Sequence, residues 1–165
     1  MALVTFVDNS APYLNAQNLN NNFNECKNAS DRAAIMVYMS ASTTIATQAW
    51  AQVNIPFNTV KYNFGGKFTL DASTGVVSYT GDKKLKITVH IFRGDATTSG
   101  TLYPASSLSS WYEEYANGTQ TFWASLVCMG SARTIAGKFA SSGTGNSVLQ
   151  GHAYNMYTYM MVEEI

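Results

Sequence analysis

The sequence predicts an all-β protein, an antiparallel sandwich or jelly roll preceded by a short, partly helical N-terminal arm. Three observations predict it. After residue 40, short β-prone runs are separated by turns marked with Gly, Asn and Asp, and no helical period recurs. The run Leu85-Lys-Ile-Thr-Val-His-Ile-Phe alternates apolar and polar residues, as a strand with one buried face does. Two other runs, residues 121–129 and 153–162, are bulky and mostly apolar on both faces, so each face needs cover. In a chain of 165 residues one cover is the second sheet of a sandwich, and the other is most simply another copy of the chain.

Composition bounds the function. Charged residues make up 12% of the chain and the formal net charge is zero, which argues against a nucleic-acid partner, since that needs a basic footprint. With 46% hydrophobic residues the chain is too apolar for intrinsic disorder. Cys26 and Cys128 stand in unlike contexts and read as free thiols. No basic stretch precedes a long apolar run, so no secretory signal is expected. No run approaches the ~20 residues of a membrane span, and no membrane insertion is expected.

In chain order, residues 1–7 form a β-prone run closed by Asp8-Asn9-Ser10, with Pro12 suited to a first helical turn. Ala16, Leu19, Phe23, Cys26, Ser30, Ala33 and Val37 follow at spacings of three and four, the seam of a short coiled coil or of one amphipathic helix. Ser40-Ala-Ser-Thr-Thr marks the boundary, giving an attachment and oligomerisation arm over residues 1–40 and a head over 41–165. Residues 48–57 read as a strand interrupted by Pro56. Gly65-Gly66 signals a hairpin between Tyr62-Asn-Phe and residues 67–70, and residues 71–75 a turn before a strand at 76–80. Leu85, Ile87, Val89 and Ile91 face inward on the next strand, with His90 a solvated histidine outside. Residues 93–110 read as a long polar loop. The Gly- and Ser-rich residues 137–151 read as loops before the closing strand.

Two segments resemble known families. Thr5-Phe-Val-Asp-Asn-Ser-Ala-Pro-Tyr-Leu-Asn-Ala-Gln-Asn-Leu-Asn resembles the opening of structural proteins from tails of phages that infect Gram-positive bacteria. Tyr62-Asn-Phe-Gly-Gly-Lys-Phe-Thr-Leu-Asp and Tyr157-Thr-Tyr-Met-Met-Val-Glu-Glu-Ile are similar to the early hairpin and closing strand of the jelly-roll head shared by complement and tumour-necrosis-factor proteins. Residues 93–122 have no counterpart in that pattern. The resemblance implies a homotrimer, with Phe122, Tyr154, Met156, Tyr157, Tyr159 and Met161 at the subunit interface. It also implies residues 1–40 joined to other phage tail proteins, and a place at the virion's tail tip after synthesis in a host cytoplasm.

No constellation of residues speaks for catalysis. His90 and His152 are the only histidines, and no cluster has metal-ligand spacing; no metal or cofactor is expected. No nucleophile elbow, phosphate loop or dinucleotide fingerprint is present. Nothing in the spacing of Asp71, Asp82, Asp95, Glu113 and Glu114 pairs them across one bond. Arg93-Gly94-Asp95 matches an integrin-binding tripeptide, a match that arises easily by chance. Trp111, Tyr112, Glu113, Tyr115 and Asn117 combine flat aromatic faces with a carboxylate and an amide, the mixture that sugars bind; core or trimer-interface packing is the plainer account of the aromatics, since sandwich cores need large residues too. The expectation is a phage receptor-binding protein for a bacterial surface saccharide and not an enzyme. The alternatives are a non-viral bacterial surface or secreted adhesive module of the same fold, and a structural trimer cap without a ligand.

Overall fold

The computed structural model describes residues 32–47, 51–94, 100–107, 114–116, 121–128, 134–142 and 145–165. Every regular element among them is a strand. In chain order these are β1 (Ala34–Tyr38), β2 (Ala41–Thr47), β3 (Val53–Asn54), β4 (Thr59–Phe64), β5 (Phe68–Asp71), β6 (Val76–Tyr79), β7 (Leu85–Phe92), β8 (Gly100–Ser106), β9 (Glu114–Ala116), β10 (Thr121–Cys128), β11 (Thr134–Ser141), β12 (Gly145–His152) and β13 (Tyr159–Glu164). A five-stranded sheet runs β10-β7-β13-β1-β4. A six-stranded sheet runs β5-β6-β11-β8-β9 with β3 also on β11, and β12 pairs with β2 in a ribbon. All pairings are antiparallel.

The core lies between the two large sheets. Ile35, Val37, Ile87, Val89, Met160 and Val162 come from one, and Val77, Leu102, Ile135 and Phe139 from the other. β7 alternates as its sequence dictates, with Leu85, Ile87, Val89 and Ile91 fully buried. Gly137 marks a close approach of the sheets: a Cβ there would stand 2.9 Å from Val89 Cγ1 and 3.0 Å from a Phe57 ring carbon.

Several expectations from sequence are corrected. The compact unit begins at Ala33, and Ala33 and Val37 do not continue a helical seam. They belong to the segment of β1, which sits between β13 and β4 and is therefore covered along both edges. Residues 1–31, with the rest of that seam, lie outside the described residues. Gly65-Gly66 does turn the chain, with φ of 75° and 65°, but it joins no hairpin. β4 belongs to the five-stranded sheet and β5 to the six-stranded one, so the turn is a corner between layers. The turn at 71–75 is as expected: β5 pairs with β6, and the Asp71 carboxylate accepts from Ser73 N–H (2.9 Å), Ser73 Oγ and Thr74 Oγ1.

The polar loop at 93–110 contains β8, whose Pro104 sits opposite Gly137 on β11; Pro masked a buried strand. The supposed loops at 137–151 contain most of β11 and β12. Gly137 among them is small because the layers press together there. The closing strand is shorter than residues 153–162, beginning at Tyr159. His152 Nδ1 accepts the backbone N–H groups of Tyr154 and Asn155, both at 3.1 Å, and Tyr157 N–H donates to Asn155 O at 2.9 Å. Those bonds coil residues 153–157 into a loop instead of a ladder.

Candidate functional site

Alternation determines what each sheet shows to the outside. On the five-stranded sheet the core-facing residues of β1, β13 and β7 leave their neighbours facing out. Register then aligns Thr59, Tyr38, Tyr159 and His90 in one row, and Tyr62, Met36, Met161 and Thr88 in the next. Tyr38, Met36, Tyr159, Met161 and Tyr62 are each half-buried on this outward face. Phe64 at 61% and Val127 at 51% exposure extend the apolar surface to the sheet's edges.

The rings on this face are ordered by contact. His90 stacks on Tyr159 at 5.0 Å between centroids, Phe92 meets Tyr157 at 5.3 Å, and Tyr62 stacks on Phe64 at 5.1 Å. His90 is thus no solvated histidine. Its Nδ1 lies 2.6 Å from Tyr157 O, and its ring belongs to the aromatic row. His152 packs edge-on against Tyr157 and tilts towards Tyr154, whose own side chain is 87% exposed. Burial first, then the negative charge of Glu163, holds the Tyr62 phenol above its usual pKa.

A buried carboxylate clamps the two layers at the far end of β13. Glu164 follows Met160 and Val162 on the inward parity, and its side chain is fully buried. It accepts from Tyr79 OH at 2.5 Å, from Lys67 Nζ at 2.9 Å and from Ala33 N–H at 2.9 Å, with Lys83 Nζ 3.9 Å away. Burial pushes the carboxyl's pKa up, but the hydrogen bonds from Tyr79, Lys67 and Ala33 together outweigh it and the net shift is downward. On the other side of the bond, burial and then the Glu164 contact push the Tyr79 phenol up to about 12. This cluster fastens Ala33, where the compact unit begins; its groups are satisfied by one another and present no open reactive position.

Of the residues singled out from sequence, Tyr154, Met156, Tyr157, Tyr159 and Met161 are described. Tyr157 and Tyr159 come together around His90, with Met161 in the adjacent row, while Tyr154 stands out on the loop. Phe122 lies in β10 opposite Ile91, and Tyr115 in β9 opposite Thr101. Trp111, Tyr112, Glu113 and Asn117 fall outside the described residues. Arg93 is fully buried, its guanidinium carbon 5.4 Å from the centroid of the Phe139 ring, so the Arg-Gly-Asp tripeptide does not offer that guanidinium to a partner.

No protein-family model matches the sequence, and no curated protein does. Solved structures do match. A crystal structure of murine APRIL at pH 8.0 covers 81% of this chain and 99% of its own, with a TM-score of 0.58 at 7% identity. The PRD1 vertex protein P5 covers 82% and 97%, with a TM-score of 0.55 at 13% identity. The sandwich is a tumour-necrosis-factor-like jelly roll. At these identities the likeness is one of fold. Among the described residues no group of three His, Cys, Asp or Glu could hold a metal ion. No helix among them is long and apolar enough to cross a membrane.

Proposed function

We propose that this chain is a phage receptor-binding protein: a homotrimer of jelly-roll heads at the tail tip that recognises a bacterial surface saccharide. The observation that carries the reading is the outer face of the five-stranded sheet. Its rows of half-buried Tyr, Met and His residues form a contiguous apolar surface of the sort that marks protein contacts. Trimer contacts centred on Tyr157, Tyr159 and Met161 would cover it with two further copies of itself. The likeness in fold to a viral vertex protein supports a place on a virion. The opening sixteen-residue phage-tail pattern supports attachment of residues 1–40 to other tail proteins.

In this reading the saccharide contacts belong to the head, with Trp111, Tyr112, Glu113, Tyr115 and Asn117 as candidates. Each contact is weak, and three sites per trimer with several trimers per virion multiply it. A neutral, charge-poor surface suits a protein that must select one glycan without sticking to charged wall polymers. Light scattering of the purified chain together with binding to a panel of bacterial cells tests the proposal. A trimer that binds a subset of strains is the expected result. A monomer with the tyrosine rows solvated overturns the assembly, and a trimer that binds no strain is a structural cap without a ligand.

A further inference from the structure

We propose that the outer face of the six-stranded sheet carries a pocket for one anionic sugar-like unit, a ring-sized, polyhydroxylated group bearing a single negative charge. The proposal rests on the receptor-binding reading and gives it a ligand class and a location that residues 111–117 do not supply.

The pocket arises from a break in strand pairing. Two strands share one edge of β11: β6 pairs with Thr134 and Ile135, and β3 with Lys138 and Phe139. Between them Ala136 and Gly137 have no ladder partner on that edge, and the link there is Ile55 N–H donating to Gly137 O at 2.8 Å. Where the two strands part, a cavity of about 310 Å³ opens. Ala105 and Ala136 are paired across β8 and β11 and form its floor. The next pair on the same face is Tyr103 with Lys138. Two alanines in succession to such long side chains leave a pit that larger residues would fill.

The wall chemistry narrows the ligand. Asn54, Ser106, Ser107 and Thr134 supply an amide and three hydroxyls, groups that donate and accept and so match vicinal sugar hydroxyls. Lys138 adds the single charge of the lining, and no carboxylate lines the pocket. A neutral sugar would forgo the ammonium, and a dianionic phosphate monoester would bring one charge more than the wall can match. The volume lies at the lower end of the ~300–1,000 Å³ typical of ligand pockets, room for one ring and not for a chain. A uronic-acid carboxylate and a phosphodiester between polyol units both carry this chemistry.

Titration of the full-length protein, followed by amide chemical shifts, tests the assignment with three probes: glucuronate, glycerophosphoglycerol and glucose. Each is added to the wild type, Lys138→Gln and Ala136→Leu, with cell binding measured on the same samples. The expected result is a shift at Asn54, Ser106 and Thr134 with one of the two anionic probes, at least tenfold weaker with glucose and in both variants. The anion that titrates identifies the source. Lys138→Gln changes a half-exposed surface group, so it reports on the site even if Ala136→Leu fails to fold. No anionic binding, shifts elsewhere, or equal affinity in Lys138→Gln overturns the pocket. Cell binding by the wild type with a silent pocket leaves the receptor reading standing without this site. Pocket binding with no cell bound retains the site and removes the receptor.

Discussion

The two outer faces of the sandwich differ in what they leave for something else to cover. On the six-stranded sheet Thr69, Ser78 and Thr134 stand in one row, all exposed. On the five-stranded sheet the corresponding positions hold Tyr38, Tyr159 and His90. Strand geometry is the same on both sides and each sheet sends its alternate residues into one shared core. The difference lies wholly in the outward residues. Hydroxyls are satisfied by water, whereas tyrosine and methionine surface gains about 25 cal/mol per Å² when removed from it. One face is finished in a single copy; in the proposed trimer the other is finished by assembly.

The largest expected effect comes from breaking that asymmetry. Met161→Glu puts a charge on a half-exposed position that one copy tolerates but a subunit interface does not. An unpaired charge buried at an interface costs roughly 2–5 kcal/mol or more. The variant should run as a folded monomer by light scattering at micromolar concentration. Ser78→Glu, the matching change on the hydroxyl face, should leave the oligomeric state as it was. Equal behaviour of the two variants would dissolve the contrast between the faces.

Next in size is the link that holds the layers together. Glu164→Ala removes the acceptor shared by Tyr79 OH, Lys67 and the Ala33 N–H, and breaking such a buried cluster on one side costs about 3–5 kcal/mol. Chemical denaturation should show it. The pH dependence follows from the same groups. The carboxyl's pKa is lowered on folding, so its contribution is present above the unfolded value of ~4.3 and is lost as pH falls through the folded one. The phenol of Tyr79 is raised to about 12. Its contribution is whole below the unfolded value of ~10, declines above it, and is gone once pH passes the folded value. Denaturation midpoints should therefore fall at both extremes, and Glu164→Gln should flatten the acid limb.

Between the faces sits Gly137, and Gly137→Ala tests how tightly the sheets are pressed. Its new methyl would crowd Val89 and Phe57, an overpacking that typically costs ~1–3 kcal/mol. The oligomeric state should be unchanged, since the outer faces do not alter.

Legibility in the sequence followed the same division. β7 could be read outright because its two faces differ in polarity, whereas the closing strand, apolar on both faces, gave no sign that Met160 and Val162 are the inward pair. Glu164 was missed: it shares the inward parity of Met160 and Val162, which for a carboxylate demands partners, but two adjacent glutamates look like solvated charge. β1 was obscured because its outward face is itself partly apolar, carrying Ala34, Met36 and Tyr38, so no alternation shows, and Ala33 and Val37 also suit a helical period. β8 and β11 were hidden by Pro104 and by glycine and alanine residues, of which Gly137 marks where the sheets press together and Ala105 and Ala136 line the outer pit. The pocket has no local signature at all. Asn54, Ser106, Thr134 and Lys138 come from three strands far apart in the chain and meet only where β3 and β6 share an edge of β11.

The smallest expected effect concerns the tip of the aromatic face. Residues 153–157 depart from strand geometry where His152 Nδ1 takes two backbone N–H groups, and the turn they form carries Tyr157 back onto Phe92. His152→Ala removes that acceptor at an exposed site, where water replaces each lost bond, so the global loss should be about 1 kcal/mol or less. The local consequence is larger. Hydrogen exchange at the amides of Tyr154 and Asn155 should accelerate while that of the β7 core amides stays constant. If the trimer is built on Tyr157 and Tyr159, the same variant should dissociate at higher protein concentration than the wild type, and Ser78→Ala on the opposite face should not. Unchanged exchange at both amides would mean that the loop is held by its tyrosine contacts and not by the histidine.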